Sequence, residues 1–286
     1  MNTHMTTLKN ATGKIDYTLL NDCMFHTVMQ RNKKVLKGLV CALLHLDPDN
    51  VQSVTLLNPM EFGDRIHDKD FVLDIKVMLN DTAIINIELQ VRTQQFWGDR
   101  SLSYLCRLFN NLEKGEDYSD VRPAYHIGIL DFTLFPDYPE FYATNKMMNM
   151  KKHYIFNDKF TLNVLDLNQI ELATKEDQQW KLDHWARLFK TSTWEELKML
   201  AQQDEIFQET GETMLRLNQD DQIRYWCEAC EEADRVARTI ESNFKKELAK
   251  KNAVIAQQKA ENERLLIEKE NALAEIARLK TLLLQK

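Results

Sequence analysis

Two apolar stretches, FVLDIKVML and AIINIELQV, flank Asn80, Asp81 and Thr82, and their alternation limits how this part of the chain can fold. Successive side chains of a strand point to opposite sides. Phe71, Leu73, Ile75, Val77 and Leu79 therefore share one side of the first arm, and Ala83, Ile85, Ile87, Leu89 and Val91 one side of the second. Facing residues of paired strands share a side, so matching the apolar sides demands an odd-numbered loop. A three-residue loop sets Asp74 opposite Glu88, with Cβ atoms roughly 4.5–5.5 Å apart. Two carboxylates that close repel each other unless positive charge lies between them, and a hard divalent cation meets that need. The alternative is the solvated polar side of a half-covered sheet. Large apolar residues around Asp70, Asp74, Glu88 and Gln90 suggest a covered opposite side and a cleft on this one.

Chain breakers divide the sequence. All five prolines lie at or before Pro139, and of seven glycines only Gly211 follows Gly128. These residues punctuate strands and turns, so a mixed α/β half gives way to a nearly all-helical one. The spacing predicts a helix over 19–46, a strand over 51–57, the hairpin, a helix over 96–114 and a buried strand over 124–132. A packed aromatic loop over 132–142 and a marginal hairpin of 153–156 with 160–167 complete the first half. Helices are expected over 168–220, with Trp180, Trp185 and Trp194 as packing anchors and Thr193 with Glu196 as a capping box. From Asp221 onward no breaker occurs. There Leu248, Ile255, Asn262, Lys269, Ile276 and Leu283 recur every seven residues, with Phe244, Leu265, Ala272 and Leu279 at the partner spacing. Such heptads suggest a coiled coil and a homodimer through the C-terminal helix, the alternative being a solvated helix.

A chain of 286 residues holds one sizeable α/β domain plus accessory segments, and the expected division is 1–167, 168–220 and 221–286. The net charge of -7 and pI near 5.6 argue against a constitutively tight, nonspecific nucleic-acid binder. Five scattered cysteines, no signal peptide and no bilayer-length apolar run suit a reducing cytoplasm without a membrane partner. The first stretch, MNTHMTTLKNATGK, reads as a polar tail. Cys227 and Cys230 fall in a helical segment with no second ligand pair, which favours packing over zinc. His126, in AYHIGILDF, reads as a packed strand residue. Neither a Gly-rich phosphate loop, a GxSxG elbow nor an HExxH pair occurs.

LDIKV followed by INIELQ, preceded by NDCMF and followed by RSLSYLCRLF and AYHIGILDF, resembles the PD-(D/E)XK nuclease superfamily. More narrowly, residues 16–167 resemble its recombination-promoting (Rpn-type) nuclease and transposase branch. The resemblance implies a restriction-endonuclease-like α/β fold, with a mixed sheet flanked by helices, and metal-dependent DNA endonuclease activity. Asp74 then takes the place of the first motif acid and Glu88 that of the second, with the Leu89 carbonyl as a further ligand for Mg²⁺ or Mn²⁺. Gln90 stands where most of the superfamily has Lys, and this branch commonly has Gln. A Gln amide carries no charge and cannot act as a base. It can orient the attacking water or a phosphate oxygen, leaving water activation to the metal. Lys76, on the same side of the hairpin, could restore the missing charge.

In the resembled family an acid on the first helix can join the site, which would be Asp22; otherwise Asn21 or Asp22 is simply a helix N-cap. Arg100, Tyr104 and Arg107 share a helix side, with Arg92 just before it. These residues could meet DNA phosphates or form a solvated surface. The expected function is DNA cleavage in recombination, mobility or defence against foreign DNA. Its rival is an inactive, nuclease-like dimeric scaffold.

Overall fold

The computed structural model describes residues 7–57, 75–94 and 96–284, with side chains to 281; Asp70 and 71–74 therefore lie outside the described residues. The chain divides into two compact units, Met1–Cys230 and Glu231–Lys286.

The first unit is built on a six-stranded sheet among the described residues. Its strands are β1 (Val54–Leu56), β2 (Ile75–Leu79), β3 (Ala83–Gln90), β4 (Ala124–Leu130), β5 (Tyr142–Met148) and β6 (Ile155–Asp166), in the order β1-β2-β3-β4-β6-β5. The hairpin has the register that its alternation demands: Ile75 faces Ile87, Val77 faces Ile85 and Leu79 faces Ala83. Asn80 and Asp81 both adopt positive φ, at 48° and 58°, a region Asn and Asp tolerate better than other residues with side chains. The Asn80 side chain also accepts hydrogen bonds from the Gln52 and Ser53 amides, which ties the turn to the approach of β1.

β3 runs parallel to β4, and β4 parallel to β6. A parallel pair needs a crossover, and α3 (Trp97–Phe109) supplies it between β3 and β4. One side of the sheet, carrying Ile75, Val77, Ile85, Ile87, Leu89, Ile127 and Ile129, packs into the main core. That core is completed by α1 (Asp22–Arg31), α2 (Lys33–Leu43), α5 (Leu182–Lys190), α6 (Trp194–Ala201) and α7 (Glu205–Asn218). The other side packs against α3, through Ile84, Ala124, Leu105 and Leu108, and through Trp97 with Leu130 and Val164.

Several expectations are corrected. The helix expected over 19–46 is two helices. Asn32 (φ −129°, ψ 97°) ends α1 and begins α2, its side-chain oxygen accepting from the Lys34 and Val35 amides. Its amide nitrogen donates to Glu209 and Thr213 of α7, so tertiary contact holds the break open. The expected polar tail is partly core: Leu8 and Ala11 are buried, as is Ile15 just after it, and Ile15 and Trp194 donate to the Ser192 and Gly13 carbonyls. The expected hairpin of 153–156 with 160–167 is a single strand, β6, paired instead with β5. That partner begins at Tyr142, the last residue of the expected aromatic loop.

The segment 168–220 contributes α4 (Lys175–Gln179) to α7 to this unit, with Trp185 and Trp194 buried and Trp180 stacked on His45 at 5.8 Å. Thr193 and Glu196 form the expected capping box.

The second unit consists of the greater part of α8 (Asp221–Leu284). Phe244, Leu248, Ile255, Leu265, Ile276 and Leu279 are all exposed along it. Among the described residues no helix is long and apolar enough to cross a membrane.

Candidate active site

Strand β3 carries Ile84, Asn86, Glu88 and Gln90 on the side that faces α3. A cleft was expected here, yet Asn86 is 6% and Glu88 2% exposed, because α3 lies across them. Trp97, Ser101, Leu105 and Leu108 form the buried stripe of α3, at the spacing expected of one helix side. Trp97 seats over Gly128, the β4 partner of Glu88; a Cβ at 128 would lie 2.2 Å from the Trp97 ring. The missing side chain is what lets α3 approach the sheet this closely.

Arg100 and Tyr104 run beside the buried stripe and reach the polar side of β3. The Arg100 Nη2 atom forms an ion pair with Glu88 Oε1 and donates to Gln90 Oε1 at 2.9 Å. Its guanidinium also lies 5.7 Å from the centre of the Tyr104 ring, within cation–π range. From β4, His126 brings Nε2 to 3.4 Å from Glu88 Oε2 and Nδ1 to 3.2 Å from Asn86 Nδ2. With an amide nitrogen facing it, Nδ1 must accept, which leaves the ring proton on Nε2, directed at Glu88. The imidazole is fully buried, edged by Tyr104 at 5.9 Å and packed near Trp97 at 6.2 Å.

A carboxylate removed from water needs compensation in charge and hydrogen bonds. Glu88 is compensated by the charge of Arg100, with the His126 imidazole nitrogen beside its other oxygen, while both oxygens lack a hydrogen bond of normal geometry. An acid so placed suits a hard cation, which prefers carboxylate oxygen. Among the described residues no three His, Cys, Asp or Glu side chains gather as a metal-binding group. Asp74, the expected partner acid, lies outside those residues. Two other acids sit at the ends of β4 and β6, Asp131 just after Leu130 and Asp166 as the last residue of β6, but each is engaged. Asp131 pairs with Lys190; Asp166, its carboxyl pushed up by burial, accepts from the Asn168 amide.

The structure thus gathers Glu88, Gln90, Arg100 and Tyr104 of the expected residues. Leu89 points its side chain into the main core, as its parity requires. Lys76 faces Asn86 across the hairpin and so shares the α3 side. Arg107 is exposed on α3 and Arg92 half-buried in the link before it. Asp22 opens α1, in the opposite layer, and the N-cap there is Asn21, which accepts from the Met24 amide. Asn21 also donates to the Cys227 carbonyl, so this helix start packs on the first turns of α8. Cys227 is buried there, and its bonding to Cys23, together with burial, drives the Cys23 thiol up to about 12.

His126 and Trp97 are the residues that the sequence argument missed. The signal for His126 was available: parallel pairing of AYHIGILDF with INIELQ puts it on one side with Asn86 and Glu88.

The model of the PD-(D/E)XK nuclease family transposases matches residues 19–243. The chain belongs to this family. No curated protein and no solved structure matches it. Membership makes the fold a restriction-endonuclease-like α/β fold with a mixed sheet, flanking helices and a long C-terminal helix. It also makes the protein nuclease-like, in a superfamily whose members generally use divalent metal ions.

Proposed function

We propose that the protein is a metal-dependent endonuclease that hydrolyses phosphodiester bonds in DNA, serving recombination, mobility or defence against foreign DNA. The observation that carries this reading is Glu88: an acid 2% exposed, held beside Arg100 and His126 on a central strand of a PD-(D/E)XK family member. Burying a carboxylate this way costs stability, so the position has a use other than folding.

The described ladder begins at Ile75 facing Ile87, and the placing of Asp74 opposite Glu88 is the sequence expectation. Asp74, Glu88 and the Leu89 carbonyl would hold Mg²⁺ or Mn²⁺. When bound, the cation supplies charge neutralisation and water activation. Gln90 orients the phosphate, and Lys76, Arg92, Tyr104 and Arg107 contact the backbone of the duplex. Asp22, which opens α1 in the opposite layer, is left out of this site. The exposed heptads of α8 support a homodimer through that helix. Light scattering should give twice the chain mass, and Ile255→Glu should halve it.

The test is nicking of supercoiled plasmid by the purified full chain with Mg²⁺ or Mn²⁺. Wild type should cut, and Asp74→Ala or Glu88→Ala should not. Undiminished cutting by both variants would refute the site.

One observation favours a second reading, a catalytically inactive binding or scaffold protein: Arg100 already neutralises Glu88. Calorimetric titration with Mn²⁺ separates the two, since a scaffold sealed by Arg100 takes up no metal at this site.

A further inference from the structure

The superfamily position occupied by Gln90 lacks the positive charge that Lys brings elsewhere, and Arg100 is placed where that charge is missing. We propose that Arg100 is the positioning residue of the reaction, supplying from α3 the cationic group that strand β3 lacks. The inference rests on the nuclease reading and deepens it.

Three observations converge on Arg100. First, one nitrogen, Nη2, reaches both Glu88 Oε1 and Gln90 Oε1, so the charge sits between the motif's acid and the residue replacing its Lys. Second, the guanidinium is held rather than loose. Tyr104 lies against it, and α3 is pinned by Trp97 over Gly128. Third, the Arg100 side chain keeps 35% of its surface exposed while Glu88 keeps 3%, so it lines the open end of the cluster.

The contact also decides what Gln90 can do. Guanidinium only donates, so the Gln90 amide oxygen must face Arg100. Its Nε2 hydrogens are then not engaged by Arg100. Gln90 therefore has its amide hydrogens available as donors to a phosphate oxygen, while its carbonyl keeps one lone pair beside the bond to Arg100. In the hydrolysis, a water oxygen bonds to phosphorus, the bond from phosphorus to one sugar oxygen breaks, and a water proton ends on that oxygen. Negative charge grows on the phosphate oxygens meanwhile. A fixed guanidinium beside Gln90 stabilises that charge as a preorganised electrostatic group.

The same placement makes Arg100 a competitor of the cation for Glu88, and this gives the proposal a signature. Arg100→Ala should lower plasmid cleavage on the order of a hundred-fold, the usual effect of deleting one preorganised charge-stabilising group. It should at the same time tighten Mn²⁺ binding in calorimetry by several-fold, because a like charge has left the site. A merely structural residue would weaken both. Arg100→Lys, which retains charge, should keep intermediate cleavage and near-wild-type Mn²⁺ affinity. The double variant Gln90→Lys with Arg100→Ala should recover at least about ten-fold of the lost rate by returning the charge to the strand.

Wild-type cleavage by Arg100→Ala overturns the proposal, as does weaker Mn²⁺ binding in that variant. So does failure of the double variant to improve on Arg100→Ala while still binding Mn²⁺. If wild type neither cuts DNA nor binds Mn²⁺, the nuclease reading itself fails, and the role of Arg100 falls with it.

Discussion

The two sides of strand β3 are both largely buried and built on opposite terms. On one, Ile85, Ile87 and Leu89 join the main core, where any well-fitting apolar residue would serve. On the other, Asn86, Glu88 and Gln90 are covered by a helix that brings Arg100, Tyr104 and Trp97 to meet them. The first side is specified by volume. The second is specified residue by residue, since each polar group needs a named partner to offset its lost hydration. A sheet can thus hold its chemistry under a roof, provided the roofing helix carries the complementary charge.

The largest effect should come from the roof. Trp97 is fully buried, so Trp97→Ala should cost about 3–5 kcal/mol in urea unfolding and also abolish cleavage by freeing α3. The sharper comparison is Ile87→Ala, on the core side of the same strand. It should lose about 2–5 kcal/mol, yet leave the cleavage rate of the folded fraction close to wild type. If folded Ile87→Ala protein is as inactive as Trp97→Ala, the two sides are not separable in function and the contrast drawn here is wrong. Gly128→Ala is gentler: its Cβ displaces the Trp97 ring, with an expected loss of about 1–3 kcal/mol and a lower cleavage rate.

Next in size is a pH effect confined to the core side. His26, on α1, is buried, and desolvation pushes its imidazole down to about 4. Above the unfolded value near 6.5 both states are neutral, so His26 contributes no slope. Between about 6.5 and 4 the unfolded chain takes up a proton that the folded one refuses. Stability should therefore fall with falling pH, by up to about 1.4 kcal/mol per unit from this group. Thermal unfolding of wild type and His26→Leu across that range should show a shallower slope in the variant. Smallest is Asn32→Ala, which removes the cap between α1 and α2 and should cost about 1 kcal/mol by chemical unfolding, with cleavage retained.

The hairpin register was legible because a period of two and a three-residue turn leave one solution. The depth of Glu88 was not, because alternation reveals which residues share a side and not what covers that side. Arg100 was singled out by its helical spacing with Tyr104, but its partner lies on the preceding strand, a contact that helical spacing cannot report. Strand β5 escaped notice for a related reason. YATNKMM is mostly exposed at a sheet edge, held by pairing with β6 rather than by burial, and so carries no apolar alternation. The split at Asn32 was readable in hindsight, an Asn followed by two helix-forming lysines, though the apolar pattern ran through it.

The segment before α1 has a practical consequence. The family match starts at residue 19, whereas Leu8, Ala11 and Ile15 already pack into the core, Ile15 bonds to Ser192 ahead of α6, and Gly13 bonds to the first turn of α6. A shortened gene begun where the family begins would encode a protein stripped of part of its own interior. Anyone cloning this protein should cut upstream of Leu8.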